Sequence, residues 1–396
     1  MPRLSDRAQV LQESAIRKLD LTVATFPRVT FHRLNIGQPD VATPIPVLEA
    51  LASYQPDVIA YGPASGLPVC REAAAAYHAR WNPGLTAAHV AVTTGGSEAL
   101  LFAFTALCDP GDEILVLEPY YTNYNGFATV AGATVKPLRT NLDDGFALPS
   151  DEELDAAVGP RTRLLVFSNP ANPTGAVYDQ ADLERLAAWA QRHDLTVISD
   201  EVYRRIWFDE PPFSALELPE EVQDHFVVID SMSKTYSSCG LRIGFLISKN
   251  EALMEKVERL GQARLGPQPA GQLAAVAGLQ LGEAYYEEVR LTYKARVDAL
   301  VDALGQIPGL NAPSPSGAFY AMVQLPVDSS EKFARWMVEE FRDSGESLVV
   351  APGPGFYGTA GAGAQEIRLA AVLGEYRIRR AGQLLERALE QYPGRS

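Results

Sequence analysis

RLLVFSNPANPTGAVYDQADLERLAAWAQRHDLTVISD, residues 163–200, decides the fold. An apolar, β-rich run (RLLVFS, 163–168) ends in a segment of turn formers, SNPANPTG (168–175). In the next stretch, DQADLERLAAWAQRHD (179–194), apolar residues recur every three and four positions, the period of an amphipathic helix. A second apolar run, LTVISD (195–200), follows at once. Strand, crossover helix and strand in this order predict a parallel pair.

The same alternation extends in both directions. Further strand candidates are HVAVTT (89–94), EILVLE (113–118), FVVIDS (226–231) and RIGFLIS (242–248). Together they predict an α/β protein with a mainly parallel sheet covered by helices. Polar and glycine-containing segments follow the C-terminal ends of these runs, the edge where open α/β sheets bind ligands. Near residue 283 the character changes. A long helix candidate, EAYYEEVRLTYKARVDALVDAL (283–304), precedes the proline-rich IPGLNAPSPSG and shorter mixed segments. The expected division is an N-terminal arm with part of a small domain (1–45), a large domain (46–283) and a smaller α+β domain (284–396). Residues 1–45 show no obvious sheet role.

A chain of 396 residues is too long for one ordinary core. Its 47% hydrophobic and 21% charged content is that of a globular protein. A formal net charge of −15 argues against general affinity for nucleic acid or anionic membranes. Cys70, Cys108 and Cys239 form no disulfide framework or metal spacing, and the five histidines are scattered. A reducing cytoplasm and no metal are the expectations; no apolar run reaches the length of a membrane span.

Four segments carry chemistry. In DSMSKTYSSCGLRIGF (230–245), Lys234 follows a strand among small hydroxylated residues. A lysine so placed can hold an aldehyde cofactor as a Schiff base. Ser231, Ser233 and Arg242 offer donors suited to a phosphate. In VTTGGSEALLFAF (92–104), a strand ends in Gly-Gly-Ser and a helix begins, so Gly96, Ser97 and the Glu98 amide form a candidate phosphate cradle. In VISDEVYRRIWF (198–209), Asp200 ends an apolar strand, where a buried carboxylate needs a partner. A protonated pyridine nitrogen would be one, with Tyr203 in reach of the ring's phenolic oxygen. In SNPANPTG, Asn172 is aimed by a proline-fixed turn. Each segment also has a structural reading: a solvated loop lysine, an N-cap serine, a helix-capping aspartate with a packed tyrosine, and a plain turn.

Taken in order, NPANPTG, SDEVY, SMSK and GLRIGF resemble the class I and II aminotransferases, of the fold-type I pyridoxal-phosphate (PLP) enzymes. LNIGQPD (34–40), YGPASGLPVCREA (61–73), EPYYTNY (118–124), SGAFYAM (316–322) and EIRLAAV (366–372) extend the resemblance from about residue 30 to the C-terminus. It implies a seven-stranded large domain with a smaller partner, pyridoxal 5'-phosphate as cofactor, and amino transfer from an L-amino acid to a 2-oxo acid. By the resemblance, Lys234 is the Schiff-base lysine and proton shuttle, and Asp200 the pyridine-nitrogen partner. Asn172 and Tyr203 match the pair on the phenolic oxygen. Gly96, Ser97, Ser231, Ser233 and Arg242 fall at or near the phosphate. Tyr121 matches the aromatic stacked on the ring. Arg368, with Asn172 and the Gly37 backbone, matches the grip on the substrate α-carboxylate. Tyr61 matches a tyrosine reaching the neighbouring subunit's phosphate, which implies a homodimer.

Substrate choice stays open. Some aspartate-specific relatives place a lysine where this chain has Glu98. Arg264 is a substitute reader of a distal carboxylate or a solvated side chain, and the many tyrosines suit an aromatic or apolar donor equally well. A β-lyase, cyclase or decarboxylase would share almost the whole cofactor set. GPGFYG (353–358) fits the dinucleotide-binding spacing G-x-G-x-x-G, but Pro354 stands where a helix should begin. A ligand-sensing regulator on this fold would not need the lysine.

Overall fold

The computed structural model describes residues 3–11 and 15–396, with the backbone alone for 15–18. Its central sheet has seven strands: β1 (Val90–Thr93), β2 (Glu113–Glu118), β3 (Thr134–Arg139), β4 (Thr162–Ser168), β5 (Thr196–Asp200), β6 (Phe226–Ser231) and β7 (Gly244–Ile247). They lie in the order β1-β7-β6-β5-β4-β2-β3. β3, β2, β4, β5 and β6 run parallel, whereas β7 is antiparallel to both β6 and β1. That single reversal matters for the site. The start of β7 lies at the sheet edge where β1 and β6 end, so Arg242 enters beside the segments that leave those strands.

The interior strands are covered on both faces, which explains their unbroken apolar runs. The crossover helix Gln180–His193 turns Leu183, Leu186, Ala187, Trp189 and Ala190 to the sheet. Asp179 caps it in a reciprocal box with Asp182. Each of the larger of these side chains contributes roughly 1.5–3 kcal/mol by leaving water. β3 is absent from the apolar runs of the sequence. It is a half-exposed edge strand, TVKPLR, and tolerates Pro137 because one side of an edge strand needs no ladder.

Two smaller sheets complete the architecture. Thr30–Arg33 pairs in parallel with Glu346–Val349, so the N-terminal segment does have a sheet role. The TFHR strand is too short and polar to stand out. The other sheet is antiparallel, with Glu366–Ala370 between Ala351–Pro352 and Tyr320–Gln324. The predicted long helix runs from Glu283 to Gly305. GPGFYG opens a short 3-10 turn, Gly353–Phe356, and not a dinucleotide-binding helix. Among the described residues, no helix is long and apolar enough to cross a membrane.

Candidate active site

A cavity of about 990 Å³ opens at the C-terminal edge of the large sheet, with Arg368 and Tyr320 of the three-stranded sheet also in its wall. It gathers Gly37, Gly96, Ser97, Tyr121, Asn172, Asp200, Tyr203, Ser231, Ser233, Lys234, Arg242 and Arg368. Residues from both ends of the chain and its middle thus meet in one space.

Lys234 follows β6 and extends its Nζ to the Gly37 carbonyl, 2.8 Å away. Gly37 can have no side chain, because a Cβ would stand 1.8 Å from the Tyr320 hydroxyl. Behind the lysine, the Tyr203 and Tyr320 hydroxyls are 2.8 Å apart. Burial, reinforced by Tyr320, holds the Tyr203 phenol well above its ordinary titration range.

Asp200 closes β5. Its Oδ2 accepts a bond of 2.9 Å from the Tyr124 hydroxyl, whereas its Oδ1 is buried without a partner among the described residues. Burial raises its pKa from 3.8 to about 6, opposed by the Tyr124 bond. A buried acceptor lacking a donor suits a cationic N–H such as a protonated pyridine nitrogen. The folded chain binds this proton more tightly than the unfolded chain does. Its contribution to stability is therefore greatest below about pH 4 and is lost as the pH rises through about 6. Relative to Asp200→Asn, the cofactor-free protein should lose roughly 3 kcal/mol across that window. Unfolding midpoints of both proteins from pH 4 to 7 test this, and a constant difference between them would count against a buried, costly carboxylate.

The opposite end of the cavity carries groups that suit an anion. Gly95 leaves β1 with φ +76°, and a Cβ there would lie 2.6 Å from Arg242 Nη2. A Cβ on Gly244 would come within 2.4 Å of the Gly95 backbone. The two loops therefore touch through bare backbone. Gly96 and Ser97 open the helix Gly96–Leu107, with its N-terminal amides and dipole toward the cavity. The Ser231 and Ser233 hydroxyls are 2.9 Å apart beside them. This cradle of backbone, hydroxyls and one guanidinium fits a phosphate group.

Arg368 is buried, and burial lowers its pKa from the usual guanidinium value. Nη1 donates to Asn172 Oδ1 at 3.1 Å and Nη2 to the Asn35 carbonyl at 2.6 Å. Its Nε has no partner among the described residues. A buried cation with a spare donor can receive a carboxylate.

Two expected residues lie outside the cavity wall. The Glu98 amide donates to the Gly95 carbonyl at 3.2 Å, so it is not free for a phosphate. The Glu98 carboxylate takes the Thr94 amide at 2.7 Å and pairs with Arg264 at 2.7 Å. That pairing holds Arg264 away from the cavity as well. Tyr61 is 85% exposed and touches no part of its own chain's cavity. Conversely, Tyr124, Tyr320 and Asn35 contribute contacts that sequence reasoning missed. Tyr124 and Tyr320 sit in aromatic-rich segments with no local sign of their distant hydroxyl partners, and Asn35 acts through its backbone. Cys239 and Asp20 also line the wall.

Comparison with known proteins agrees with this geometry. A sequence family described as "Aminotransferase class I and II" matches residues 30–354. The chain is 32% identical to an aspartate/prephenate aminotransferase of Thermus thermophilus, over 98% of this chain and 99% of that one. It is also 32% identical to an arginine–pyruvate transaminase of Pseudomonas aeruginosa, over 88% and 87% of the two chains. The solved structure of T. thermophilus aspartate aminotransferase with maleate superposes with a TM-score of 0.89 at 31% identity, covering 98% of this chain and all of that one. The phosphate cradle, the unpaired carboxylate oxygen, the lysine and these matches lead to one conclusion: the chain belongs to the class I and II aminotransferases, enzymes that use pyridoxal 5'-phosphate.

Proposed function

We propose that the chain moves the amino group of an L-amino acid to a 2-oxo acid by a ping-pong sequence, with Lys234 as the reacting side chain. One observation carries this reading. A single cavity holds a lysine amine, a buried carboxylate oxygen without a donor, and a buried arginine with a spare N–H. Bound pyridoxal phosphate supplies an aldehyde and an electron-withdrawing ring. The protein does the rest. Gly96, Ser97, Ser231, Ser233 and Arg242 hold the phosphate. Asp200, steadied by Tyr124, keeps a ring nitrogen protonated. Asn172 and Tyr203 address the phenolic oxygen, and Tyr121 covers the ring.

Arg368 grips the substrate α-carboxylate and, with Asn172 and the Gly37 backbone, fixes the direction of the Cα–H bond. Lys234, its amine oriented by the Gly37 carbonyl, would take the proton from Cα and hand it to the bound cofactor. Arg368→Lys should lower kcat/KM for amino acids by about 100-fold, chiefly through KM, because lysine cannot reproduce the fork. Cofactor absorbance should be unchanged. Steady-state kinetics alongside the spectrum test this, and an unaltered KM would remove Arg368 from substrate binding.

Aspartate with 2-oxoglutarate is the first pair to try, given the aspartate-acting relatives. Aromatic and apolar donors come next, since Tyr121 and Tyr320 line the wall. Single L-amino acids are added to the PLP-loaded protein without an oxo-acid acceptor. One equivalent of 2-oxo acid per site, followed by arrest, supports aminotransfer. Continuous release of ammonia or a thiol would instead make the protein a lyase.

We also propose the division into 1–45, 46–283 and 284–396. One apolar core joins Leu19 and Leu34 to the C-terminal segments, and two others flank the large sheet. A homodimer is supported by the exposed run Val58, Ile59 and Tyr61. Its three free cysteines suit the cytoplasm.

A further inference from the structure

Behind the phosphate end of the cavity lies a buried polar chain that the proposed chemistry does not use. His78 ends the helix Pro68–His78 and is fully buried. Its Nδ1 is 2.7 Å from the Ala74 carbonyl, and its Nε2 is 2.9 Å from Asp230 Oδ2. A carbonyl can only accept, so Nδ1 carries a hydrogen. The remaining contact, nitrogen to carboxylate, then needs a second proton between them. The pair is neutral as a whole and held together by that proton.

Asp230 passes the constraint on. Its Oδ1 accepts from the Ser231 amide at 2.7 Å. Ser231 Oγ in turn accepts from the Ser233 amide at 3.1 Å and lies 2.9 Å from Ser233 Oγ. Both serines line the cavity, whereas His78 and Asp230 do not. The surroundings keep Asp230 ionised. Burial alone would raise its pKa, but the His78 bond and the nearby Arg204 charge bring it below the ordinary value. Arg204 is itself fixed, 2.7 Å from Glu201 and stacked 4.2 Å over the Trp81 ring. The Tyr77 and His78 rings meet in a T-shaped pair, 4.8 Å between ring centroids.

We propose that His78 is a positioning residue for the phosphate cradle: through Asp230 it fixes the Ser231 amide, and with it the two serine hydroxyls that face the cavity. The inference rests on the reading that this cavity takes pyridoxal phosphate. It separates two ligands that share the aldehyde and ring. Pyridoxal phosphate needs the cradle, and pyridoxal, which lacks the phosphate, does not.

The test is the dissociation constant of each ligand for the full-length apoprotein, wild type and variants. His78→Phe keeps the volume and removes both ring nitrogens. It should weaken pyridoxal phosphate about tenfold while changing pyridoxal by less than about twofold, as expected for losing a hydrogen bond to a charged group. His78→Gln, which can still donate to Asp230, should recover affinity to within about threefold of wild type. The pair His78→Phe/Asp230→Asn should be no worse than the worse single variant, because the residues act in series. If His78→Phe fails to fold, Asp230→Asn and His78→Gln carry the same comparison. Equal weakening of both ligands would mean that His78 serves general packing, and unchanged pyridoxal phosphate affinity would overturn the proposal outright. Wild-type protein that binds neither ligand would instead defeat the reading of the cavity.

Discussion

Lys234→Ala will lower amino transfer by about 10⁴-fold, the upper range for removing a positioned proton-transfer group. The loss has two parts. The amine that bonds the cofactor aldehyde disappears, and so does the base at the substrate Cα. The fold should survive, because among the described residues Lys234 Nζ donates to the Gly37 carbonyl alone, and it ends in the cavity rather than in the core. Two measurements keep the parts apart. Borohydride treatment of the PLP-loaded wild type should add one phosphopyridoxyl mass to the peptide that contains Lys234 and none in the variant. An added small amine should restore some Cα deprotonation by supplying a mobile base. A variant that keeps more than about a tenth of wild-type activity would take Lys234 out of the chemistry.

Asp200→Asn carries the second largest expected effect, about 10³-fold in rate. A carboxylate about 4 Å from a cationic nitrogen is worth roughly 4 kcal/mol at an effective dielectric constant of 20. At 1.36 kcal/mol per factor of ten, this amounts to about three decades. Asparagine fits the same space and can still meet the Tyr124 hydroxyl, so packing is preserved. What it lacks is charge. The expected signature is a slowed exchange of the substrate Cα proton with D₂O and little change in KM. Exchange at the wild-type rate would show that the ring needs no anion here. Tyr124→Phe should have a milder effect in the same direction, because it removes one steadying bond and leaves the charge.

The parts of this site that could be read beforehand are local. Lys234 with its two serines, the Gly-Gly-Ser exit from β1, and Asp200 at the end of β5 each sit within a few residues of the feature that gives them meaning. What escaped reading depends on distance. Tyr124 and Asp200 are separated by 76 positions, Tyr203 and Tyr320 by 117, and nothing in either local pattern announces the bond. Glu98 departs from its expected role for a partly local reason. Its place in the first helical turn implied a free amide, but the glycine before that turn already accepts from it, and its side chain is claimed by Arg264 far along the chain. The edge strand Thr134–Arg139 and the short strand Thr30–Arg33 were passed over because edge and two-stranded pairings demand no continuous apolar run.

The strand order has a bearing on how the molecule is born. The first strand of the large sheet has one neighbour only, the last strand. On the ribosome, Val90–Thr93 must therefore wait for Gly244–Ile247 before it can take its place. At the usual pace of translation the wait lasts about 10–30 s. Through that interval the Gly95–Gly96 corner has no Arg242 to face, and the nascent protein has no phosphate seat. The arginine at 368 emerges later still. On the proposed reading, a growing chain acquires the residues for gripping cofactor before the one for gripping substrate, and neither set until more than half of it has been made.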